Sequence, residues 1–307
     1  MMPLEAGWSG PLSAANSVPR PCASRVARAP RCRTGAVWPK ALRLANSVAR
    51  LWRRGRDVWA ATSPQTVSEP LQRASLSQPC TANNLEIAVR YQPAEPEAQI
   101  GGDWYDAFVD ASGATFLTVG DVSGHDHDAS ATMGQVLTLL RGLAFDADDA
   151  PSRLLSRLDA VMQSLEVETL ATAVVARVEP PAGHAPGNTQ RVHWSSAGHV
   201  PPLLRDPDGV VTRLEVEPDL LLGICRDTPR FDHAIELEAG STLLLYTDGL
   251  VERRDEDLDE GIDNLATTLS NLGNLDPDPL CDAIIESTAA LEAGDDDIAL
   301  LVLRIIG

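Results

Sequence analysis

The sequence predicts an α+β layered fold, on three observations. Runs of branched apolar residues recur at strand length from residue 85 to residue 305. Segments with apolar residues at helical spacing fall between them, in pairs and not one for one as in a parallel βαβ protein. The chain has 307 residues, of which 44% are hydrophobic, enough to fill a sizeable core.

Taken in order, residues 1–35 are rich in Pro, Ala, Ser and Arg, lack a hydrophobic period and are expected to be disordered. Residues 36–59 bring Trp38, Leu42, Ala45, Val48 and Trp52 near helical spacing, with Arg43, Arg50, Arg53, Arg54 and Arg56 for the other side, the pattern of a basic amphipathic helix. Such a helix is open to three readings: an upstream stretch of little function, self-association or partner docking, and contact with an anionic membrane surface. Prolines and polar residues make 69–84 a linker or opening segment, after a basic extension over 1–68 and before a domain over 85–307. In that domain strands are expected at 85–91, 114–120, 170–178, 191–197, 241–247 and 297–305, and helices at about 129–145, 152–166, 258–271 and 278–292. Pro151 suits the first turn of the second helix.

The chemistry concentrates between Ile100 and Gln135. Two carboxylate-bearing turns, GGDWYD at 101–106 and GDVSGH at 120–125, are joined by an apolar run ending at Asp121. Glycines there let the backbone bend tightly and leave its carbonyls and amides open to a ligand. A helix should follow His125, with Asp126 and Asp128 near its N-terminus. Asp248 follows the run LLLYT, and Asp296 or Asp297 opens the last strand. Aspartates at strand edges can converge on one pole of a layered fold, and hard divalent cations prefer such oxygen donors.

Charge is placed unevenly. Residues 1–80 contain 12 basic and three acidic residues, a net of +9, which leaves −28 on the remainder of a chain whose total is −19. A strongly acidic domain lacks the Arg and Lys footprint that nucleic acid requires. The five cysteines, Cys22, Cys32, Cys80, Cys225 and Cys281, are widely spaced without a CxxC pair, which suggests free thiols in a reducing compartment. No transmembrane segment or signal peptide is evident, so a cytoplasmic location is expected.

The blocks RYQPAEPEAQIGGDWYD, GDVSGH, SSAGHVPPLL (195–204), LLLYTDGLVERRD (243–255) and DDDIALLVLR (295–304), in this order, resemble the metal-dependent protein serine/threonine phosphatases, the protein phosphatase type 2C superfamily. More narrowly they resemble the bacterial branch typified by the stage II sporulation E phosphatase. The resemblance implies two stacked, mainly antiparallel sheets flanked by helices, and two Mn²⁺ or Mg²⁺ ions at one end. It implies that Asp121 bridges the ions, that the Val122 carbonyl adds a ligand, and that Asp103, Asp248 and Asp296, with Asp297 as its neighbour, complete the set. His125 is left between helping to protonate the leaving group and fixing the turn by hydrogen bonding. The eukaryotic branch has its histidine where Ser123 stands here, and its phosphate-gripping arginine where Ala98 stands. His199, beside Pro201 and Pro202, reads as structural.

The implied activity is a metal-dependent phosphoserine/phosphothreonine protein phosphatase acting on a phosphorylated regulatory protein such as an anti-sigma-factor antagonist. Two competing classes are a catalytically weak phosphatase-like binding module, which a missing aspartate would signal, and a phosphoesterase or nuclease, disfavoured by the −28 charge. Because residues 1–68 hold no ligand candidate, a chain shortened to begin at Glu69 is expected to keep metal-dependent hydrolysis of a small aryl phosphate. Loss of that activity in a folded shortened protein would make the extension part of the enzyme.

Overall fold

The computed structural model describes residues 84–94, 101–124, 127–180, 189–217, 219–253, 256–289 and 296–306. The helix expected at 36–59, the boundary at 68, and His125 with Asp126 lie outside the described residues. Ten strands form two five-stranded antiparallel sheets. In chain order the strands are β1 (Leu85–Gln92), β2 (Asp103–Val109), β3 (Thr115–Val122), β4 (Ala171–Val178), β5 (Gln190–Ala197), β6 (Leu203–Arg205), β7 (Val211–Arg213), β8 (His233–Leu237), β9 (Thr242–Tyr246) and β10 (Ile298–Ile305). One sheet runs β1-β10-β9-β6-β7 and the other β2-β3-β4-β5-β8. The helices are α1 (His127–Asp146), α2 (Pro151–Ser164), α3 (Leu258–Asn271) and α4 (Pro277–Ala289).

Strand periodicity decides which side chains fill which layer. In β10, Ala299, Leu301 and Leu303 enter the core between the sheets, while Ile298, Leu300 and Val302 pack under the second helical pair. Both of its faces are covered, which is why β10 reads as a continuous apolar run. In β3, Leu117 and Val119 face the other sheet, and Phe116 and Val122 face the first helical pair. Met133, Val136, Leu137 and Leu140 of α1 and Leu154, Leu155, Leu158 and Met162 of α2 seal that side. Ile262, Leu265 and Leu269 of α3 and Leu280 and Ile284 of α4 seal the opposite one. The expected sandwich of two antiparallel sheets flanked by helices is thus the observed fold.

Element ends follow local chemistry. Pro151 opens α2 behind the extended Ala150, and the Asp257 carboxylate caps α3 by accepting the Asp259 amide. The expected helices lie within a few residues of the observed ones. One local expectation is corrected: GGDWYD does not form a turn, because Asp103 to Asp106 lie in β2. Alternation explains it, since Trp104 and Phe108 pack under α1 and α2 while Tyr105 and Ala107 face the other sheet. Cys225 and Cys281 are free thiols, as anticipated. Among the described residues no helix is long and apolar enough to cross a membrane.

The loop before β8 is held to α2 by a buried ion pair. Arg230 Nη2 stands 3.0 Å from Asp159 Oδ2, both side chains being inaccessible, and Asp159 Oδ1 also accepts the Gly223 amide at 3.0 Å. Removing the cation strands a buried carboxylate, so Arg230→Met is expected to cost about 3 kcal/mol in urea unfolding, with Arg230→Met/Asp159→Leu recovering part of that loss. A single-variant loss below about 1 kcal/mol would show that the pair is solvated.

Candidate active site

Antiparallel pairing places four strand ends at one pole of the sandwich. β2 begins where β3 ends, and Asp103 is the cross-strand partner of Asp121. β9 ends where β10 begins, Tyr246 pairing with Leu300. Asp103 shares the face of Tyr105 and Ala107, and Asp121 that of Leu117 and Val119, so both lie on the side turned toward the other sheet. From that sheet come Asp248, which starts a single 3-10 turn after β9, and Asp296, just ahead of β10.

The charges of the other three aspartates act on Asp103. Asp103 is buried, and its carboxyl is held well above the usual carboxylate range. Burial is the main cause, followed by the negative charges of Asp121 and Asp296 and, more weakly, of Asp248. The Thr247 hydroxyl bonds to this carboxyl and works in the other direction, yet Asp103 Oδ2 has no hydrogen-bond partner. An orphaned buried oxygen costs about 1–3 kcal/mol. Thr247 also accepts the Ala299 amide at 2.8 Å, so this hydroxyl fastens Asp103 to the facing sheet.

Backbone crowding accounts for two glycines. A Cβ on Gly102 would stand 2.2 Å from the Val122 carbonyl oxygen and 3.1 Å from Asp121 Oδ1, and one on Gly249 would stand 2.1 Å from the Asp297 carbonyl. Asp297 itself is buried and accepts the Ala94 amide at 3.0 Å, while its own amide donates to Asp296 Oδ1 at 3.0 Å. The Gly101 amide donates to the Tyr91 hydroxyl at 2.8 Å. The Tyr91 phenol is pushed up by burial and by the charges of Asp297 and Asp103.

All donors at this pole are oxygens, as a hard divalent cation prefers. Among the described residues no three His, Cys, Asp or Glu side chains are drawn together closely enough to hold an ion as they stand. Mutual repulsion among the carboxylates works against such closure, and a two-ion centre spreads its ligands around two points with waters between them.

The sequence pattern of the family described as Stage II sporulation protein E (SpoIIE) matches residues 111–306. The chain belongs to the SpoIIE family. Its match includes Asp121, Asp248 and Asp296 and begins after Asp103, which the β2–β3 register supplies. The fold is similar to the RsbU and RsbW domains of a Mycobacterium tuberculosis protein, with a TM-score of 0.62 at 29% identity over 72% of this chain and 60% of that one. It is similar to the PP2C phosphatase domain and regulatory-domain fragment of SpoIIE from Bacillus subtilis, at 0.60 and 15% identity, covering 74% and 64%. The SiaA-PP2C domain of Pseudomonas aeruginosa matches at 0.58 and 17%, covering 87% and 96%. This chain therefore spans less than two thirds of the first two. The two at 15% and 17% identity show the fold alone, that of PP2C domains.

Sequence reasoning did not anticipate the role of Thr247 in this SpoIIE-family chain, and it read His199 as structural without its partners. His199 is buried, with Nδ1 2.7 Å from Thr172 Oγ1 and Nε2 2.9 Å from the Tyr246 carbonyl oxygen. A carbonyl only accepts, so Nε2 carries the proton and Nδ1 accepts from the threonine hydroxyl. Burial pulls this imidazole down to about 4, against the Asp248 charge and the Tyr246 carbonyl, which favour the cation. An unfolded histidine titrates near 6.5. Between those values the unfolded chain binds a proton that the folded chain does not. The contribution of His199 to stability is therefore full above about pH 6.5 and declines as pH falls toward about 4, by about 3 kcal/mol in all. Its ring nitrogen resonances should stay those of a neutral imidazole from about pH 8 to about pH 5, and titration within that range would contradict the assignment.

Proposed function

We propose that the protein is a Mn²⁺- or Mg²⁺-dependent phosphoserine/phosphothreonine protein phosphatase whose substrate is a phosphorylated regulatory protein, such as an anti-sigma-factor antagonist. The observation that carries this is the Asp103 carboxyl, buried against three further aspartates with one oxygen unpartnered. Such an arrangement opposes folding on its own account and is relieved by bound positive charge. In this reading Asp121 would be the ligand the two ions have in common, and the Val122 carbonyl, Asp103, Asp248 and Asp296 would supply the other donors. Asp297 is assigned to bracing, given its bond to Ala94. Such ions, when bound, acidify a water and neutralise charge on phosphoryl oxygens. The chain's own contribution is to hold the carboxylates in place from two sheets and to keep Asp103 dry. His125, between Gly124 and α1, is the candidate to protonate the leaving serine or threonine oxygen. Support for the regulatory substrate comes from the SpoIIE family and from the RsbU domain among the similar structures. The net charge of −28 beyond residue 80 disfavours a nucleic-acid substrate.

Hydrolysis of a small aryl phosphate should require added Mn²⁺ or Mg²⁺ and cease with a chelator. Asp121→Asn is expected to lower turnover roughly a hundredfold or more, about 2.7 kcal/mol in barrier, while the metal-free variant unfolds at a higher temperature than metal-free wild type because one like charge beside Asp103 is gone. Near-wild-type, metal-dependent turnover by folded Asp121→Asn would remove this residue from the site. Equal rates on unrelated phosphopeptides and on phosphorylated antagonist proteins would count against a dedicated regulatory substrate.

A further inference from the structure

His199 lies between β4, which pairs with the strand of Asp121, and β9, which leads to Asp248. Thr172, which meets Nδ1, is the cross-strand partner of Asp121 in the β3–β4 ladder. Tyr246, which meets Nε2 through its carbonyl, is two residues ahead of Asp248 and belongs to the other sheet. One rigid ring therefore spans from the neighbour of Asp121 to the strand end that leads to Asp248. The ring is itself fixed: the His199 amide donates to Ser196 Oγ at 3.1 Å, and the left-handed Gly198 at φ +67° bridges Ala173 of β4. Leucine at the same position would fill the space and make neither bond.

We propose that His199 is a positioning residue, a cross-brace that sets the separation of Asp121 from Asp248 and so tunes the affinity of the pole for divalent cations. The proposal rests on the metal-dependent reading above. It differs from a packing role, because a brace acts on the ligands even when the fold is intact. Residues that orient metal ligands change affinity by about 10- to 100-fold when removed.

The test is Mn²⁺ binding to the full chain by calorimetry, alongside unfolding temperature and aryl phosphate turnover. His199→Leu should weaken Mn²⁺ binding by about tenfold or more in protein that is folded by circular dichroism. His199→Gln, whose amide can donate to Tyr246 and accept from Thr172, should recover much of the affinity. Thr172→Val should weaken it less than His199→Leu, and His199→Leu/Thr172→Val should be no worse than His199→Leu alone, since both act through one contact. If His199→Leu does not fold, Thr172→Val carries the test, and wild-type affinity in that variant overturns the brace. A lowered unfolding temperature with unchanged Mn²⁺ affinity would reduce His199 to packing and overturn it too. Unchanged affinity with lost turnover would make His199 act in the chemistry and not on ligand spacing, which also refutes the proposal. Wild type that binds no Mn²⁺ would instead sink the metal-dependent reading, and the brace with it.

Discussion

Everything at the functional pole depends on one register, that of β2 against β3, which sets Asp103 directly opposite Asp121. A slip of one residue would turn Trp104 toward the facing sheet and Asp103 toward the helices. That slip is blocked by the packing of Trp104 and Phe108 under α1 and α2, together with Ala107 and Val119 in the central core. The apolar pattern thus enforces a juxtaposition of carboxylates that electrostatics alone would oppose.

Short ties across and within the sheets then hold the strand ends that carry the other aspartates. Thr247 reaches from the end of β9 to Asp103 and accepts the Ala299 amide, so one hydroxyl links both sheets. Asp297 does a related task at the neighbouring strand start by holding Ala94, and Gly249 lets the turn at Asp248 lie against the Asp297 backbone. None of these contacts is long or adaptable. Of these, only the Thr247 tie crosses between the sheets, while the Asp297 contacts join neighbouring strand ends within one sheet, and together they leave little freedom for carboxylate spacing.

Much of the fold was legible because its central strands are buried on both faces and read as apolar runs, β10 and β9 above all. β2 was missed as a strand since DWYDAFV alternates in burial partner and not in polarity: Asp106 is fully buried and satisfied by Arg141 of α1, a partner no local pattern reveals. The short β6, β7 and β8 carry too few residues for a period to register. At the site, Asp121, Asp248 and Asp296 stood out through flanking glycines and strand ends. Thr247 matters only through pairings between distant segments, so nothing in its own neighbourhood marked it, and His199 was marked by its prolines while its partners in β4 and β9 were not. The resemblance favoured Asp296 over its neighbour Asp297, and the hydrogen bond from Ala94 to Asp297 separates their surroundings.

Buried acids occur here in two contrasting settings, and the contrast bears on what the pole is for. Asp106 meets Arg141, whose Nη2 lies 2.6 Å from Oδ1, and Asp159 meets Arg230, so each inaccessible carboxylate under the first helical pair has a guanidinium beside it. Asp103 is buried as deeply, yet the charges that most affect it are negative, and one of its oxygens has no partner. A chain that neutralises buried carboxylates with arginine at two nearby positions is capable of doing so at a third. Leaving Asp103 among like charges costs stability that the well-packed cores on either side can absorb, and such local costs are characteristic of functional sites. Either a proton on Asp103 or positive charge from outside the chain would relieve that cost, so the stability of this pole is linked to what binds there.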